Sequence, residues 1–182
     1  QAGVKMFLYL AMIDSDADKS KFEILYSEYK NLMYYTANHI LRNSSDAEDA
    51  VHQAFLKVIE ILDTISSPRC HKTRALLVTI TEHKAIDLYR EKQRRNVLPL
   101  AEEYIGAAPA AEIERLAERD SLAAAIASLP PRYRSVLLLR YDCGYSNAEI
   151  ANILDTTEPN VRKLIQRAKE KLSAKLRGTE EP

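Results

Sequence analysis

Between Ser146 and Leu172 the chain reads as two short helices joined by a tight turn, and no other stretch restricts its folding as much. Ser146 stands three residues before Glu149, the spacing of a capping box that opens a helix. Ile150, Ile153 and Leu154 give that helix one apolar face. After Asp155 and Thr156, Thr157 can cap a second helix, with Pro159 in its first turn, where a missing N–H costs little. Val161, Leu164, Ile165, Ala168 and Leu172 form the apolar stripe of the second helix, and Arg162, Lys163, Gln166 and Arg167 stand on the opposite face. A short helix, a brief turn and a basic second helix make the pattern of a DNA-reading helix-turn-helix. A merely solvated surface also accounts for basic residues on an outer face, so the rest of the chain has to decide between the two.

A length of 182 residues allows one large domain or two small ones. With only four glycines, almost no strand-like alternation and an abundance of Ala, Leu, Glu, Lys and Arg, the expected class is all-α. Formal net charge is zero, from 26 basic and 26 acidic residues, so overall charge does not announce a nucleic-acid binder. Its distribution does. Seven basic residues against two acidic fall between Glu158 and Arg177, and five against two between Lys84 and Arg95. Acids gather instead at Asp14 to Asp18, Asp46 to Asp49 and Glu102 to Asp120. Such segregation points to two phosphate-facing surfaces on a neutral protein.

Cys70 and Cys143 lie far apart and outside any Cys-x-x-Cys pattern, which fits reduced thiols in a cytoplasmic protein. Cys70-His71 has no second ligand pair at metal spacing, so no metal site is expected. Met6 to Ile13 is apolar but too short to span a membrane, and it runs into acids rather than a cleavage site. It is expected to be a short helix packed on the first domain, with no membrane insertion.

In chain order, Phe22, Leu25, Tyr26, Tyr29, Leu32, Met33, Ala37, Ile40 and Leu41 repeat at helical spacing on one broad face, and an aromatic stripe of this kind belongs to a core. Ser45 with Glu48 reads as a second capping box, opening a helix to about Leu62. Its buried face comprises Ala47, Ala50, Val51, Ala54, Phe55, Val58, Ile61 and Leu62. Asp46, Glu48 and Asp49 crowd its first turn, where acids complement the helix dipole. Gln53 and Leu56 fall outside the apolar stripe, however, and a mixed outer face suits a partner-binding helix.

A loop from Ile65 to Cys70 precedes a long helix from about Thr73 to Arg95, with Leu76, Leu77, Ile80 and Leu88 as core positions. Its second half turns basic around Tyr89. That composition suits a single strand, whose phosphates take the charge while bases stack, and equally a solvated helix end with its last-turn cations. Pro99, Gly106 and Pro109 interrupt residues 96–111, the expected flexible linker between domains at 1–95 and 112–182. An Ala-rich helix from about Ala111 to Ser128 stops at Leu129-Pro130-Pro131. The next helix carries Val136, Leu137, Leu139 and Arg140 and ends at Cys143-Gly144, with Gly144 as the left-handed residue after it. The second domain is thus a four-helix unit containing the helix-turn-helix.

Three segments, in order, carry a family resemblance. Asp46-Ala47-Glu48-Asp49-Ala50-Val51-His52-Gln53-Ala54-Phe55-Leu56 resembles the segment of bacterial sigma factors that docks on the clamp helices of core RNA polymerase. Ala85-Ile86-Asp87-Leu88-Tyr89-Arg90, followed by basic residues, resembles the promoter-melting segment. The stretch from Leu129 to Tyr141, followed by the helix-turn-helix, resembles the C-terminal sigma domain. Order and linker match the smallest group, the extracytoplasmic-function (ECF) sigma factors of the sigma-70 family. The chain departs from the family pattern at His83, where many relatives have Asn, at Asp155, where Gly is usual in the turn, and in having no Trp near Leu76.

The resemblance implies a dissociable specificity subunit without catalytic residues or cofactor. Asp46, Glu48, Asp49, Gln53, Phe55 and Leu56 would hold the polymerase, whose β′ clamp and β flap are the implied partners. His83, Lys84, Asp87, Tyr89, Arg90, Arg94 and Arg95 would trap the opened −10 strand. Asn160, Arg162, Lys163, Gln166, Arg167 and Lys171 would reach the −35 element of promoter DNA in its major groove. Opening would draw on binding energy rather than ATP, since there is no Gly-rich phosphate loop. Glu102 and Glu103 in the linker would occupy space meant for nucleic acid. The family commonly has an anti-sigma partner able to mask either domain. Two rival classes stand beside this one. A self-sufficient helix-turn-helix regulator leaves the Asp46–Leu56 helix unused. An enzyme finds no catalytic set among the scattered His39, His52, His71 and His83.

Overall fold

The computed structural model describes residues 2–95 and 121–178, and every regular element among the described residues is helical. The chain divides into two compact units at Leu98–Pro99. The expected linker at 96–111, with Glu102 and Glu103, and the start of the helix expected from Ala111 lie outside the described residues.

The first unit is built from α1 (Ala2–Leu10), α2 (Asp16–Leu41), α3 (Ser44–Glu60), a short 3₁₀ turn (Leu62–Thr64) and α4 (His71–Arg95). The Ser15 side chain accepts from the Asp18 N–H at the start of α2, with Asp16 and Asp18 complementing the dipole there. Phe22, Leu25, Tyr29, Met33 and Ala37 recur every three or four residues, so one stripe of α2 is buried. The helix stops at Arg42, which turns left-handed at φ 51° and returns its N–H to the Asn38 carbonyl. This break comes one residue before the expected Asn43-Ser44-Ser45.

The start of α3 corrects the expected capping box. Its cap is Asn43, whose side chain accepts from the Asp46 N–H at 3.0 Å. Ser45 therefore lies inside the helix, and Glu48 reaches Lys5 of α1 instead of turning back to the helix start. Ala47, Ala50, Ala54, Phe55 and Val58 are buried as expected, while Val51 is half-buried.

α2, α3 and α4 pack together around Phe22, Leu25, Met33, Phe55, Leu76, Leu77 and Ile80, all essentially inaccessible. At one place the contact is made by small residues alone: Ala37, Ala47, Ala50 and Ala85. Small side chains let helix backbones approach closely. Around them pack Tyr34, Ile40, Leu41, Val51 and Leu88, so Leu88 is a rim residue rather than the expected core position. The loop before α4 is tied down on both sides. Tyr29 donates its phenol to the Pro68 carbonyl at 3.0 Å, Thr73 its hydroxyl to the Ser67 carbonyl at 2.6 Å, and Arg69 pairs with Glu28.

The second unit contains α5 (Ser121–Ala127), α6 (Pro131–Leu137), a π-helical segment (Leu138–Asp142), α7 (Asn147–Ile153) and α8 (Glu158–Gly178). Pro131 opens α6 at a position that needs no N–H, and the Pro130 carbonyl receives the N–H groups of Tyr133 and Arg134. α8 is the common support: α5, α6 and α7 all pack on it. The core comprises Leu129, Tyr133, Val136, Leu139, Ile150, Ile153, Val161 and Ala168.

The helix ends at Cys143-Gly144 as expected, but after Leu137 its backbone widens. The Cys143 N–H reaches back five residues to the Leu138 carbonyl at 2.9 Å, and Gly144 follows at φ 83°. Glycine adopts this conformation without steric penalty. The Tyr145 N–H then closes on the Leu139 carbonyl at 3.0 Å.

Candidate polymerase and promoter surfaces

The six residues expected to hold polymerase do not share one surface. Asp49 and Gln53 are exposed at successive turns of α3, and Leu56 is half-buried beside them. Glu48 is exposed at their edge and pairs with Lys5 at 3.2 Å. Phe55 is a correction. It is 0% exposed, with ring centroids 5.8 Å from Tyr9, 5.7 Å from Phe22 and 4.9 Å from Tyr26. A side chain enclosed by three aromatic rings has no surface left for a partner. Asp46 is also turned inward, where it pairs with Lys92 of α4.

Sequence reasoning missed His52 on this face. His52 is exposed between Glu48 and Gln53, and its Nδ1 lies 2.6 Å from the Tyr9 phenol. Only an apolar N-terminal helix was legible in the sequence. That it lies across the edge of α3 depends on Lys5 and Tyr9 meeting Glu48 and His52, each 43 residues away.

On α4 the spacing His83, Asp87, Arg90, Arg94 repeats every three or four residues and so falls on one side of the helix. Asp87, Arg90 and Arg94 are exposed there and His83 is half-buried. Lys84, also half-buried, flanks this row, and Arg95 ends the helix. Tyr89 is half-buried and sits roughly 100° around the helix from Arg90. The aromatic therefore does not interleave with the basic row, and the expected stacking partner is turned away from it.

On α8 the expected residues present a continuous surface. Asn160, Arg162, Lys163, Gln166 and Arg167 are all exposed, opposite buried Val161 and Ala168. Contacts along the helix hold several in place: Arg162 to Glu158 at 3.7 Å, Gln166 to Glu170 at 3.1 Å, and Asn160 to the Thr156 hydroxyl at 2.8 Å. Lys171 differs. Its ammonium lies 5.7 Å from the Tyr133 ring centre, at the flank where α8 meets α6, and about 16 Å along the helix from Asn160. Recognition helices read bases with their N-terminal residues, so Lys171 stands apart from the surface formed by the other five.

The turn before α8 is set locally. Ser146 and Glu149 form the full capping box of α7, with 2.7 Å from the Ser146 N–H to the Glu149 carboxylate and 3.2 Å from the Glu149 N–H to the Ser146 hydroxyl. Hydrogen bonding to the carboxylate from Ser146, first by its side chain and then by its backbone N–H, holds the Glu149 carboxyl below its usual pKa. Asp155 takes φ 48°, a left-handed turn position that glycine fills without strain. The Val161 N–H bonds the Thr157 carbonyl at 3.0 Å, as the first turn of α8 requires.

Among the described residues no cluster of three or more His, Cys, Asp or Glu could hold a metal, and no helix is long and apolar enough to cross a membrane. Neither Cys70 nor Cys143 is in a disulfide. Hydrogen bonding to Thr73 holds the Cys70 thiol below its usual pKa.

Comparison with known proteins accounts for both units. Residues 25–95 match the family model for sigma-70 region 2, and residues 119–172 match that for sigma-70 region 4. The ECF RNA polymerase sigma factor SigW of Bacillus subtilis is 26% identical over 172 residues, covering 88% of this chain and 91% of that protein. SigL of Mycobacterium tuberculosis is 26% identical over 148 residues, covering 80% and 83%. Among solved structures, CnrH in complex with the cytosolic domain of CnrY is 23% identical, with coverage of 98% and 97% and a TM-score of 0.40. A stand-alone helix-turn-helix regulator would leave residues 25–95 without a role, and their match to region 2 disfavours that reading. With the two region models in order and together spanning more than half of the sequence, the chain belongs to the sigma-70 family of RNA polymerase sigma factors, as a member of the extracytoplasmic-function type.

Proposed function

We propose that this sigma factor divides its work among three helices. Asp49, Gln53 and Leu56 of α3, with Glu48 at their edge, hold core polymerase. Asn160, Arg162, Lys163, Gln166 and Arg167 of α8 read the −35 element. His83, Asp87, Arg90 and Arg94 of α4 engage the opened −10 strand, with Lys84 and Arg95 adding positive charge beside them. Residues 96–111 link the two units. No residue is assigned a catalytic step, and the protein would act where the polymerase is, in the cytoplasm.

The exposed row on α8 carries the reading. Arginine and lysine donate to guanine edges and phosphates, while asparagine and glutamine match adenine. Five such side chains on the second helix of a capped helix-turn-helix, opposite a buried apolar stripe, suit a major groove. Opening of the duplex then draws on binding energy, since bases that leave the stack must be compensated by contacts to the freed strand.

The test is run-off transcription with purified core polymerase on promoter templates. The chain is expected to redirect initiation to a promoter with −35 and −10 elements. Tight operator binding without polymerase and no redirected initiation would overturn the proposal.

A further inference from the structure

We infer that Asp46 is a positioning residue for promoter opening, and that it does not contact polymerase. Its carboxylate holds Lys92, and with it the last turns of α4, against the start of α3. The inference rests on the assignment of the α4 basic row to the −10 strand.

Asp46 is the third residue of α3, and its N–H is capped by Asn43. A carboxylate there is favoured by the unpaired N–H groups of the helix start. Its side chain is 14% exposed, however, whereas Asp49 one turn on is open to solvent. The carboxylate meets the Lys92 ammonium, 46 residues later in the sequence. The neighbouring Ala47 and Ala50 pack against Ala85, which brings the start of α3 close to the second half of α4.

Beyond Leu88 the core beneath α4 runs out: Tyr89 and Gln93 are half-buried, and Arg90, Glu91, Lys92 and Arg94 are exposed. A helix end with little apolar surface beneath it frays readily. A tie at Lys92, set between Arg90 and Arg94, limits that freedom, so less ordering is left to be done when a strand arrives. The acid beside the polymerase-facing surface thereby acts on the DNA-facing helix.

The experiment is a double-mutant cycle on reconstituted holoenzyme with Asp46→Asn, Lys92→Gln and the two combined. Core affinity is read by fluorescence competition, and opening by a fluorescent base placed in the −10 element. Asp46→Asn is expected to leave core affinity within about twofold and to lower opening about fivefold, with the double variant no worse than Lys92→Gln alone. Asp46→Glu, which keeps the charge, is expected to restore opening. Melting temperatures should match wild type in every variant.

Loss of core affinity in Asp46→Asn, with normal opening once the complex is formed, would overturn the inference, as would additive effects of the two substitutions. A wild-type chain that fails to direct core polymerase at all would instead overturn the sigma role. A functional wild type with an indifferent Asp46→Asn would remove only the present assignment.

Discussion

The phenol of Tyr9 lies 2.6 Å from Nδ1 of His52, so a hydrogen bond joins α1 to the edge of α3. Burial, reinforced by neighbouring Tyr26, pushes the Tyr9 pKa up to about 12, so the phenol keeps its proton at neutral pH. Removing the hydroxyl with Tyr9→Phe is expected to cost about 1 kcal/mol in urea unfolding at neutral pH. The raised pKa also fixes a sign. The unfolded tyrosine ionises near 10.0 and the folded one near 12, so the stabilisation is intact below pH 10 and lost as pH rises through that interval. Tyr9→Phe should flatten this alkaline loss; an unchanged alkaline profile would show that Tyr9 does not govern it.

Phe55 and its neighbours on α3 separate stability from binding. Phe55→Ala empties the middle of an aromatic cluster and should destabilise the first unit by about 3–5 kcal/mol. Its loss of polymerase binding would accompany unfolding. Asp49→Lys combined with Gln53→Ala alters exposed positions alone, and is expected to weaken core binding about tenfold or more with little change in melting temperature. A collapse in melting temperature of the latter variant would show those residues to be structural.

What could be read in advance from the sequence follows the range of the forces. The Ser146–Glu149 box was legible because its donors and acceptors lie within four residues of one another. The same spacing misled at Ser45 and Glu48, because Asn43 lies two residues earlier and outcompetes Ser45 as cap, while Glu48 finds Lys5. Periodicity placed Phe55 on the buried face, and only the resemblance drew it to the partner side. The Asp46–Lys92 pair depends on how two helices are set side by side, which no local pattern encodes. Tyr89 was grouped with its basic neighbours by sequence proximity, although adjacent residues on a helix point in different directions.

The capping box on α7 gives an acid-side test. Ser146→Ala is expected to cost the second unit about 1 kcal/mol. Because the Glu149 carboxyl titrates below its usual value of 4.5, its contribution is complete above that pH and fades as pH falls through the folded-state value. Glu149→Ala should therefore differ most from wild type at neutral pH and least in acid. Equal differences at both would mean that the carboxylate charge is not what stabilises the cap.

For α8, Arg162→Ala and Arg167→Ala are each expected to weaken promoter binding by about 1–3 kcal/mol and leave core binding unchanged. A residue that meets a phosphate should also lower the salt slope of binding by about one, whereas one reading a base edge should relax sequence preference. Lys171→Ala, on the flank over Tyr133, should do neither to a comparable extent. Parallel loss of promoter and core binding in the arginine variants would count against the division between the two units.

The widened turn at Leu138–Asp142 holds one residue more than an α-helical path over the same distance would use. The surplus is absorbed as a bulge, and Gly144 resets the direction of the chain before α7 begins. Length at this point is therefore uncoupled from the orientation of α8. Deleting one residue here would let the turn tighten to ordinary α geometry, whereas the same deletion inside α7 would rotate every later side chain by about 100°. The segment just before the helix-turn-helix is thus where related chains can differ by a residue and still present α8 in the same way.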